Sequence, residues 1–329
     1  MLKTAQQILE TASRGRGITI EEANVLIDPE LTVLDELMKT ANELILKAFG
    51  NEIGMCAIYP AKVGSCSGDC AFCSQSAHHK CDVSPVKVEE LDADEIVGNA
   101  KRLWDSGVSR YSLVTSGEYL TDAEFERICR IFRRLREEAP MGLCASLGSL
   151  TADRAAKLKN VGVSRYHHNI ETSRSYFPQI CSTHSYDDKI KTIGIARGAG
   201  MEICIGGIIA LGETAEQRVE MAFALRALDV DCVPINILNP IAGTRLEHQP
   251  PLRADEILRT ISVFRLIMPD KPLRFAGGRE RALGSEEYRG YAAGINSMLA
   301  GNYLTTSGKP FEEEMRALKA GGYTVGRVL

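Results

Sequence analysis

Three cysteines in one short segment could hold a metal centre. Cys66, Cys70 and Cys73 stand in the run Cys66-Ser-Gly-Asp-Cys70-Ala-Phe72-Cys73, a C-x₃-C-x₂-C pattern. Each thiolate of such a loop can bind one iron of a four-iron cube, which leaves the fourth iron open to a small molecule. The spacing therefore fits a [4Fe–4S] cluster that has one iron without a protein ligand.

The same thiolates could instead bind zinc, because soft sulfur ligands suit both zinc and iron–sulfur clusters. A structural zinc site has four protein ligands, and His78, His79 and Cys81 are near enough in sequence to supply the fourth. The triplet alone does not decide between the two metals.

The length and composition indicate one large domain. The 329 residues are 44% hydrophobic, the net charge is −4 and the basic residues are dispersed, so neither nucleic acid nor an anionic membrane is an expected partner. Residues 1–8 read as the start of an amphipathic helix rather than a signal peptide, and we expect a cytoplasmic protein. Ten cysteines in such a chain favour metal or redox chemistry over disulfides.

Short apolar runs alternate with helical periodicity after about residue 50. Strands are predicted at 57–63, 109–115, 142–147, 164–170, 202–209, 232–238, 272–276 and 295–299. Helices are predicted between them at 93–106, 122–138, 151–161, 187–199, 215–228, 254–268 and 285–293. This alternation predicts an α/β fold, a parallel (β/α)₈ TIM-type barrel whose active site lies at the carboxyl ends of the strands. We expect an N-terminal helical extension, residues 1–50, followed by the barrel domain, residues 51–325.

Polar side chains interrupt two of the predicted strands. His167, Asn169 and Glu171 share one face of the fourth strand, because side chains alternate along a strand. Asn236 shares a face of the sixth strand with Cys232. A satisfied core amide is the ordinary explanation of one buried Asn, but two of them in a barrel favour a bound ligand.

Cysteines and an arginine also fall inside strands. Cys144 and Cys204 could be small core residues, whereas Arg274 carries a charge that needs an anionic partner when buried. A thiolate-bound cluster would be such a partner. Cys181, on the loop after the fourth strand, could approach the same interior. The remaining cysteines have no ligand spacing and are expected to be bystanders or core residues: Cys56, Cys81 and Cys129.

Taken together, these segments resemble the radical S-adenosylmethionine superfamily and, within it, the biotin synthase family. The resemblance runs from about residue 50 to about residue 325. It rests on the triplet with Cys73-Ser-Gln-Ser, and on four further stretches in the same order: Tyr166-His-His-Asn169-Ile-Glu171-Thr-Ser, Gly206-Gly207-Ile-Ile-Ala-Leu-Gly212-Glu213-Thr, Val233-Pro-Ile-Asn236-Ile-Leu and Leu273-Arg274-Phe-Ala-Gly-Gly-Arg279-Glu.

The resemblance implies an enzyme that inserts sulfur from an auxiliary iron–sulfur cluster into dethiobiotin by 5′-deoxyadenosyl radical chemistry. Cys66, Cys70 and Cys73 would hold the [4Fe–4S] cluster that binds S-adenosylmethionine, and Asn169 and Asn236 would reach the ureido ring of dethiobiotin. Contacts with S-adenosylmethionine are implied for Phe72, Thr115, Ser116, Gly117, Asn169, Glu171 and Lys189.

The sequence departs from the family pattern at the auxiliary cluster. That pattern has three strand cysteines and an arginine; Cys144, Cys204 and Arg274 match, but Ser112 stands where the first cysteine belongs. A hydroxyl is a poor substitute for a thiolate at iron. Cys181 is the leading candidate for the missing ligand and Cys232 the second. Three thiolates from Cys144, Cys181 and Cys204 would suit a four-iron auxiliary cluster better than a [2Fe–2S] cluster.

The resemblance further implies a flavodoxin- or ferredoxin-type electron donor, the iron–sulfur assembly machinery as a partner, and a homodimer. One rival is a relative without sulfur insertion, of the maturase or mutase type, which would not need Cys144, Cys204 and Arg274 together. Another is a zinc-stabilised binding module, which iron and sulfide analysis would exclude.

Overall fold

Ten strands form one parallel sheet in the computed structural model, which describes residues 3–301 and 308–326. The strands are β1 (Glu52–Lys62), β2 (Arg110–Thr115), β3 (Gly142–Ser146), β4 (Val163–His167), β5 (Glu202–Cys204), β6 (Gly207–Ile209), β7 (Val233–Ile237), β8 (Leu273–Phe275), β9 (Ser297–Leu299) and β10 (Thr324–Gly326). The sheet runs in the order β5-β4-β3-β2-β1-β9-β8-β7-β6, and β10 pairs with β1.

The barrel closes because β5 and β6 are two halves of one strand, separated by Ile205 and Gly206. The first half pairs with β4 and the second with β7. Two isolated β-bridges add to this pairing. One joins Cys204 of β5 to Cys232, just before β7, and the other joins Gly207 of β6 to Glu171, after β4. A Cβ at Gly206 would collide with the carbonyl of Pro234, so close strand packing explains this glycine. The predicted (β/α)₈ barrel is confirmed.

Helices connect the strands and cover the outside of the barrel. They are α1 (Ala5–Ala12), α2 (Ile20–Leu26), α3 (Leu34–Phe49), α4 (Ala93–Asp105), α5 (Asp122–Glu138), α6 (Ala152–Asn160), α7 (Phe177–Ile180), α8 (Tyr186–Gly198), α9 (Ala215–Ala227), α10 (Ala254–Ile267), α11 (Arg279–Leu283), α12 (Arg289–Ala293) and α13 (Phe311–Ala320), with 3₁₀ turns at Val88–Glu90 and Gly284–Glu286. Across the described residues, no helix is both long and apolar enough to cross a membrane.

The local sequence explains where several helices begin and end. Thr121 caps α5 in a reciprocal capping box with Glu124, which satisfies backbone N–H groups that have no partner inside the helix. Gly107, Gly162 and Gly200 follow helices with positive φ angles, as expected of residues that end helices in the left-handed conformation.

The N-terminal helices form a second layer over α10. Residues Ile257–Ile267 are all buried, because α2 and α3 pack on the side of α10 that would otherwise face solvent. Arg259 fixes this contact by donating hydrogen bonds from Nη1 and Nη2 to the carbonyls of Leu26 and Leu31, at 3.0 and 2.6 Å.

The C-terminal segment returns to the first strand, a feature that the sequence prediction missed. Thr324–Gly326 pairs with Glu52–Gly54 of β1. The buried Arg279 side chain binds the carboxylates of Glu287 and Glu314 and the carbonyl of Leu299. The segment 308–326 is therefore joined to the barrel through both a strand and a buried ion-pair network.

Candidate active site

The cysteine triplet lies on a loop at the carboxyl end of β1, which we call the triplet loop (residues 63–77). Backbone hydrogen bonds close it from the Cys66 N–H to the Gln75 carbonyl at 3.0 Å and from the Ala77 N–H to the Cys66 carbonyl at 2.8 Å. The Gly68 N–H donates to the Cys66 sulfur at 3.4 Å. A backbone donor aimed at sulfur suits a thiolate that holds an iron–sulfur cluster.

Cys181 lies beside this loop. Its sulfur is 3.9 Å from the sulfur of Cys70 and 3.3 Å from Nδ1 of His184. The hydrogen bond from Cys70, supported by His184, lowers the pKa of the Cys181 thiol to about 4, although burial opposes the shift. The same contact and burial raise the pKa of Cys70 above its ordinary value.

This placement contradicts the expectation that Cys181 supplies the auxiliary-cluster ligand missing at Ser112. Cys181 contacts Cys70 of the triplet loop, and it is not among the residues that line the cavity containing Cys144 and Cys204. The reason is topological: the loop after β4 folds back over residues 69–71, where the Ala71 N–H donates to the Ile180 carbonyl at 2.8 Å.

The residues considered as a fourth zinc ligand have other partners. Nε2 of His78 contacts the Ser67 carbonyl at 3.1 Å and Nδ1 of His79 contacts the Cys73 carbonyl at 2.8 Å. The Cys81 thiol donates to the Ala242 carbonyl at 3.3 Å. The geometry therefore does not assemble the zinc site that these three residues were considered for.

Residues expected to contact S-adenosylmethionine surround the triplet loop. A small cavity of about 110 Å³ is lined by Cys66, Cys70, Gly117 and Lys189 among others. Nζ of Lys189 lies 3.4 Å from a carboxylate oxygen of Glu171, a residue with φ +68°. The Ser116 hydroxyl donates to the Gly64 carbonyl at 2.7 Å and so joins the end of β2 to the triplet loop, while the Thr115 hydroxyl has no hydrogen-bond partner within the described residues.

A larger cavity of about 340 Å³ extends from the triplet loop into the barrel. Phe72 and Cys73 line its upper end, and Asn169 and Asn236 line its middle. Its lower end, which we call the barrel floor, is formed by Cys56, Cys144, Arg165, Cys204 and Arg274.

The two asparagines are partly engaged with the backbone. Asn236 accepts from the Gly277 N–H at 3.0 Å and donates to the Gly207 carbonyl at 3.2 Å. Asn169 accepts from the Gly206 N–H at 3.1 Å. Each carbonyl oxygen can accept a second hydrogen bond and each amide nitrogen carries two hydrogens, so both side chains keep capacity for a ligand in the cavity.

Arg274 organises the barrel floor. Its Nη1 donates to the sulfur of Cys56 and its Nη2 to the sulfur of Cys204, both at 2.8 Å. Burial raises the pKa of the Cys204 thiol, but the hydrogen bond with Cys232 and the charges of Arg274 and Arg165 outweigh burial and bring the pKa to about 7.

Several buried polar atoms in the floor or next to it have no hydrogen-bond partner among the described residues. They are Nε of Arg274, Nη1 of Arg165, Nδ1 of His167 and the hydroxyl of Ser112. Burial, with the nearby Arg274 charge, lowers the pKa of His167 to about 4, so this ring is neutral near pH 7. No carboxylate is found among the described residues that line the cavity. Buried guanidinium groups need anionic partners. Arg165 has one in Glu202, at 2.9 Å, and an anionic cluster bound by thiolates would supply one to Arg274.

Cys56 was expected to be a bystander, yet it lines the cavity. Its predicted strand began at residue 57, whereas β1 begins at Glu52 and places Cys56 on the cavity wall beside Ile58. Every second side chain of a strand points to the same face, so Cys56 and Ile58 face the same way. The apolar run from Ile53 to Ile58 was the available sign that the strand starts earlier. Cys129 lies in the helical core, as expected.

Comparison with known proteins identifies the family. The Radical SAM superfamily matches residues 63–225, and the Biotin and Thiamin Synthesis associated domain matches residues 234–324. The biotin synthase of Acetivibrio thermocellus is 48% identical over 311 residues, covering 94% of this chain and 96% of that protein. The chain belongs to the biotin synthase family.

Other biotin synthases are similarly close. That of Carboxydothermus hydrogenoformans is 47% identical, covering 83% of this chain and 84% of its own length. That of Clostridium acetobutylicum is 45% identical, covering 94% of both chains. The expectation of a radical S-adenosylmethionine enzyme of the biotin synthase family is therefore confirmed, and the non-catalytic zinc module is excluded.

Solved structures of more distant enzymes share the fold of this biotin synthase family member. HydG, a maturase of the [FeFe]-hydrogenase, aligns with a TM-score of 0.85 at 20% identity, covering 98% of this chain and 76% of HydG. Methylornithine synthase (PylB) aligns with a TM-score of 0.83 at 18% identity, covering 97% of both chains. At these identities the likeness extends to the fold alone.

Proposed function

We propose that this chain converts dethiobiotin to biotin. The observation that carries the proposal is a single cavity with sulfur ligands at both ends: the triplet loop above and the thiols of the barrel floor below, with two asparagine amides between them. A sulfur-inserting enzyme needs both ends, whereas a maturase or mutase without sulfur insertion needs only the upper one.

At the upper end, Cys66, Cys70 and Cys73 would bind the [4Fe–4S] cluster of the radical S-adenosylmethionine superfamily. When bound there, this cluster and S-adenosylmethionine supply a 5′-deoxyadenosyl radical, and the auxiliary cluster supplies sulfur. Lys189 offers a positive charge for the methionine carboxylate, without the bidentate fork of an arginine. Contacts with the rest of S-adenosylmethionine are assigned to Phe72, Thr115, Ser116, Gly117, Asn169 and Glu171.

Dethiobiotin would lie in the middle of the cavity. Asn169 and Asn236 offer amide donors and acceptors to its ureido group, and the apolar wall around Val114, Ile241 and Leu299 suits its hydrocarbon part. This region lies inside the barrel, and closing it to water would protect a reactive intermediate from side reactions.

At the floor, Cys144, Cys204 and Arg274 would bind the auxiliary cluster, and we favour a four-iron cluster over a [2Fe–2S] cluster. A two-iron cluster needs four terminal ligands, and the Ser112 hydroxyl cannot replace the missing thiolate well. A four-iron cluster could use three thiolates and carry a non-protein ligand on its fourth iron.

Three further parts of the proposal come from the family resemblance: a flavodoxin- or ferredoxin-type electron donor, cluster loading by iron–sulfur assembly machinery, and a homodimer. The proposed cytoplasmic location comes from the N-terminal sequence. The division into a helical extension, 1–50, and a barrel domain, 51–325, also remains a proposal.

Anoxic turnover tests the function directly. The protein reconstituted with iron and sulfide is incubated with S-adenosylmethionine, a reduced flavodoxin and dethiobiotin, and products are quantified by mass spectrometry. We expect both biotin and 5′-deoxyadenosine. Formation of 5′-deoxyadenosine without any biotin would favour the rival enzyme without sulfur insertion.

A further inference from the structure

We propose that Cys56, on the first barrel strand, is the thiolate ligand that compensates for Ser112 at the auxiliary cluster. With Cys144 and Cys204 it completes a set of three thiolates around Arg274. This inference rests on the proposed function, because it names a ligand of the floor cluster proposed there.

The contacts of Arg274 carry the argument. The two Nη atoms of its planar guanidinium point at two different sulfurs, Cys56 and Cys204, each at 2.8 Å. Cys204 is one of the two strand cysteines that match the family pattern. Cys56 thus holds the same relation to the arginine as an expected ligand does.

Strand register explains how a thiol on β1 can replace one on β2. Ser112 pairs with Ile58 of β1 on one side and with Cys144 of β3 on the other. Cys56 faces the cavity two residues before Ile58, because side chains on one face recur every second residue. Compared with the family pattern, the thiol therefore lies on the adjacent strand, β1. It is also one inward-facing position deeper in the barrel, toward Arg274.

Charge distinguishes a ligand from an inert core cysteine. A buried neutral thiol is a weak hydrogen-bond acceptor and leaves a guanidinium charge uncompensated, which is costly. Among the described residues, the Cys56 sulfur has one other hydrogen-bond contact besides Arg274, a weak one to the Met298 carbonyl at 3.8 Å. Arg165 already pairs with Glu202, whose carboxylate lies 2.9 Å from its Nε, whereas thiolates bound to iron would give Arg274 the anionic partner that the cavity lining lacks.

The other two candidate cysteines are less suited. Cys181 lies against Cys70 at 3.9 Å, in contact with the triplet loop. Cys232 faces Cys204 across a β-bridge and has no exposed surface, and it is absent from the lining of the cavity. Cys56 is the one of the three that faces the cavity beside both Cys204 and Arg274.

Iron analysis in a chain without the upper cluster tests the inference. In a Cys66/Cys70/Cys73 triple alanine background, all protein-bound iron belongs to the floor, and we expect about four irons per chain with matching acid-labile sulfide. Adding Cys56→Ala should remove at least half of this iron and change the Mössbauer spectrum of the remainder. Adding Cys181→Ala or Cys129→Ala instead should leave the iron content and the Mössbauer spectrum unchanged.

The alternatives give different results. Full iron and an unchanged spectrum after Cys56→Ala overturn the Cys56 assignment while leaving the proposed function intact. If the triple alanine parent itself contains no iron, the floor holds no cluster. That result overturns both the Cys56 assignment and the proposed function. To exclude misfolding, Cys56→Ser is made in the chain with an intact triplet: retention of the triplet iron with loss of the floor iron supports the assignment, and retention of both overturns it.

Discussion

The triplet loop and the barrel floor are both rich in sulfur, but they are built in opposite ways. The triplet cysteines lie within eight residues of one another on one loop. The floor takes Cys56, Cys144, Cys204 and Arg274 from four different strands. The loop can change its shape around a ligand, whereas the floor is part of the sheet and has the geometry that strand register imposes.

This difference decides how each site tolerates change. A local spacing such as C-x₃-C-x₂-C loses its function when any member changes. A floor made of many inward-facing positions offers several places for a ligand, so a thiol lost at Ser112 can be replaced from the neighbouring strand. The comparison predicts strict dependence on each triplet residue and a graded dependence on floor residues.

The largest effect is expected at the triplet loop. Cys70→Ala removes one of three iron ligands, and 5′-deoxyadenosine formation should fall to the level of an enzyme-free sample under anoxic, reducing conditions. Cys129→Ala, which changes a core helical cysteine, serves as the control. Cleavage of S-adenosylmethionine retained in Cys70→Ala would contradict the role of the triplet.

Arg274 should show the next largest effect. Arg274→Met removes the guanidinium that donates to the sulfurs of Cys56 and Cys204, and the amount of biotin per 5′-deoxyadenosine should fall at least about tenfold, equivalent to 1.4 kcal/mol or more. Arg274→Lys keeps the charge but not the bidentate geometry of the guanidinium. Its ratio of biotin to 5′-deoxyadenosine should lie between those of Arg274→Met and the wild type. Equal ratios in all three proteins would show that the guanidinium does not serve the floor.

A smaller effect is expected where the substrate binds. Asn236→Ala leaves ureido groups unpaired and should weaken dethiobiotin binding by about 1–3 kcal/mol, roughly 5- to 150-fold in Kd. Isothermal titration calorimetry of the reconstituted protein measures this.

Asn236→Asp separates substrate contact from backbone support in that experiment. The variant keeps the acceptor for the Gly277 N–H but loses the amide donor. Normal binding by both variants would mean that Asn236 supports only the backbone.

Ser112 should matter least. Its hydroxyl is buried without a hydrogen-bond partner in the described structure, so Ser112→Ala should leave floor iron unchanged and leave the free energy of unfolding the same or raised by up to about 1 kcal/mol. Iron analysis and urea unfolding measure the two quantities. Loss of floor iron would instead identify the Ser112 oxygen as a ligand.

The two sites also differ in how far the sequence predicts them. The triplet and the alternation of strands and helices are local patterns, and the structure has them where they were expected. Cys56 was taken for a bystander because the predicted strand began at residue 57, five residues after Glu52. Cys181 was misassigned because loop direction depends on tertiary contacts such as that between Ala71 and Ile180. The pairing of β10 with β1 has no local sign, since more than 260 residues separate the partners.

The contact between Cys56 and Arg274 spans 218 residues, which has a consequence for biogenesis. A ribosome needs about 10–40 s to proceed from Cys73 to Arg274 at ~5–20 residues per second. The triplet is complete throughout that interval, while the floor does not exist until the barrel has closed. Iron and sulfide for the proposed floor cluster would then pass down the finished cavity, past the triplet loop. That cluster would have to be installed before S-adenosylmethionine and dethiobiotin fill the passage above it.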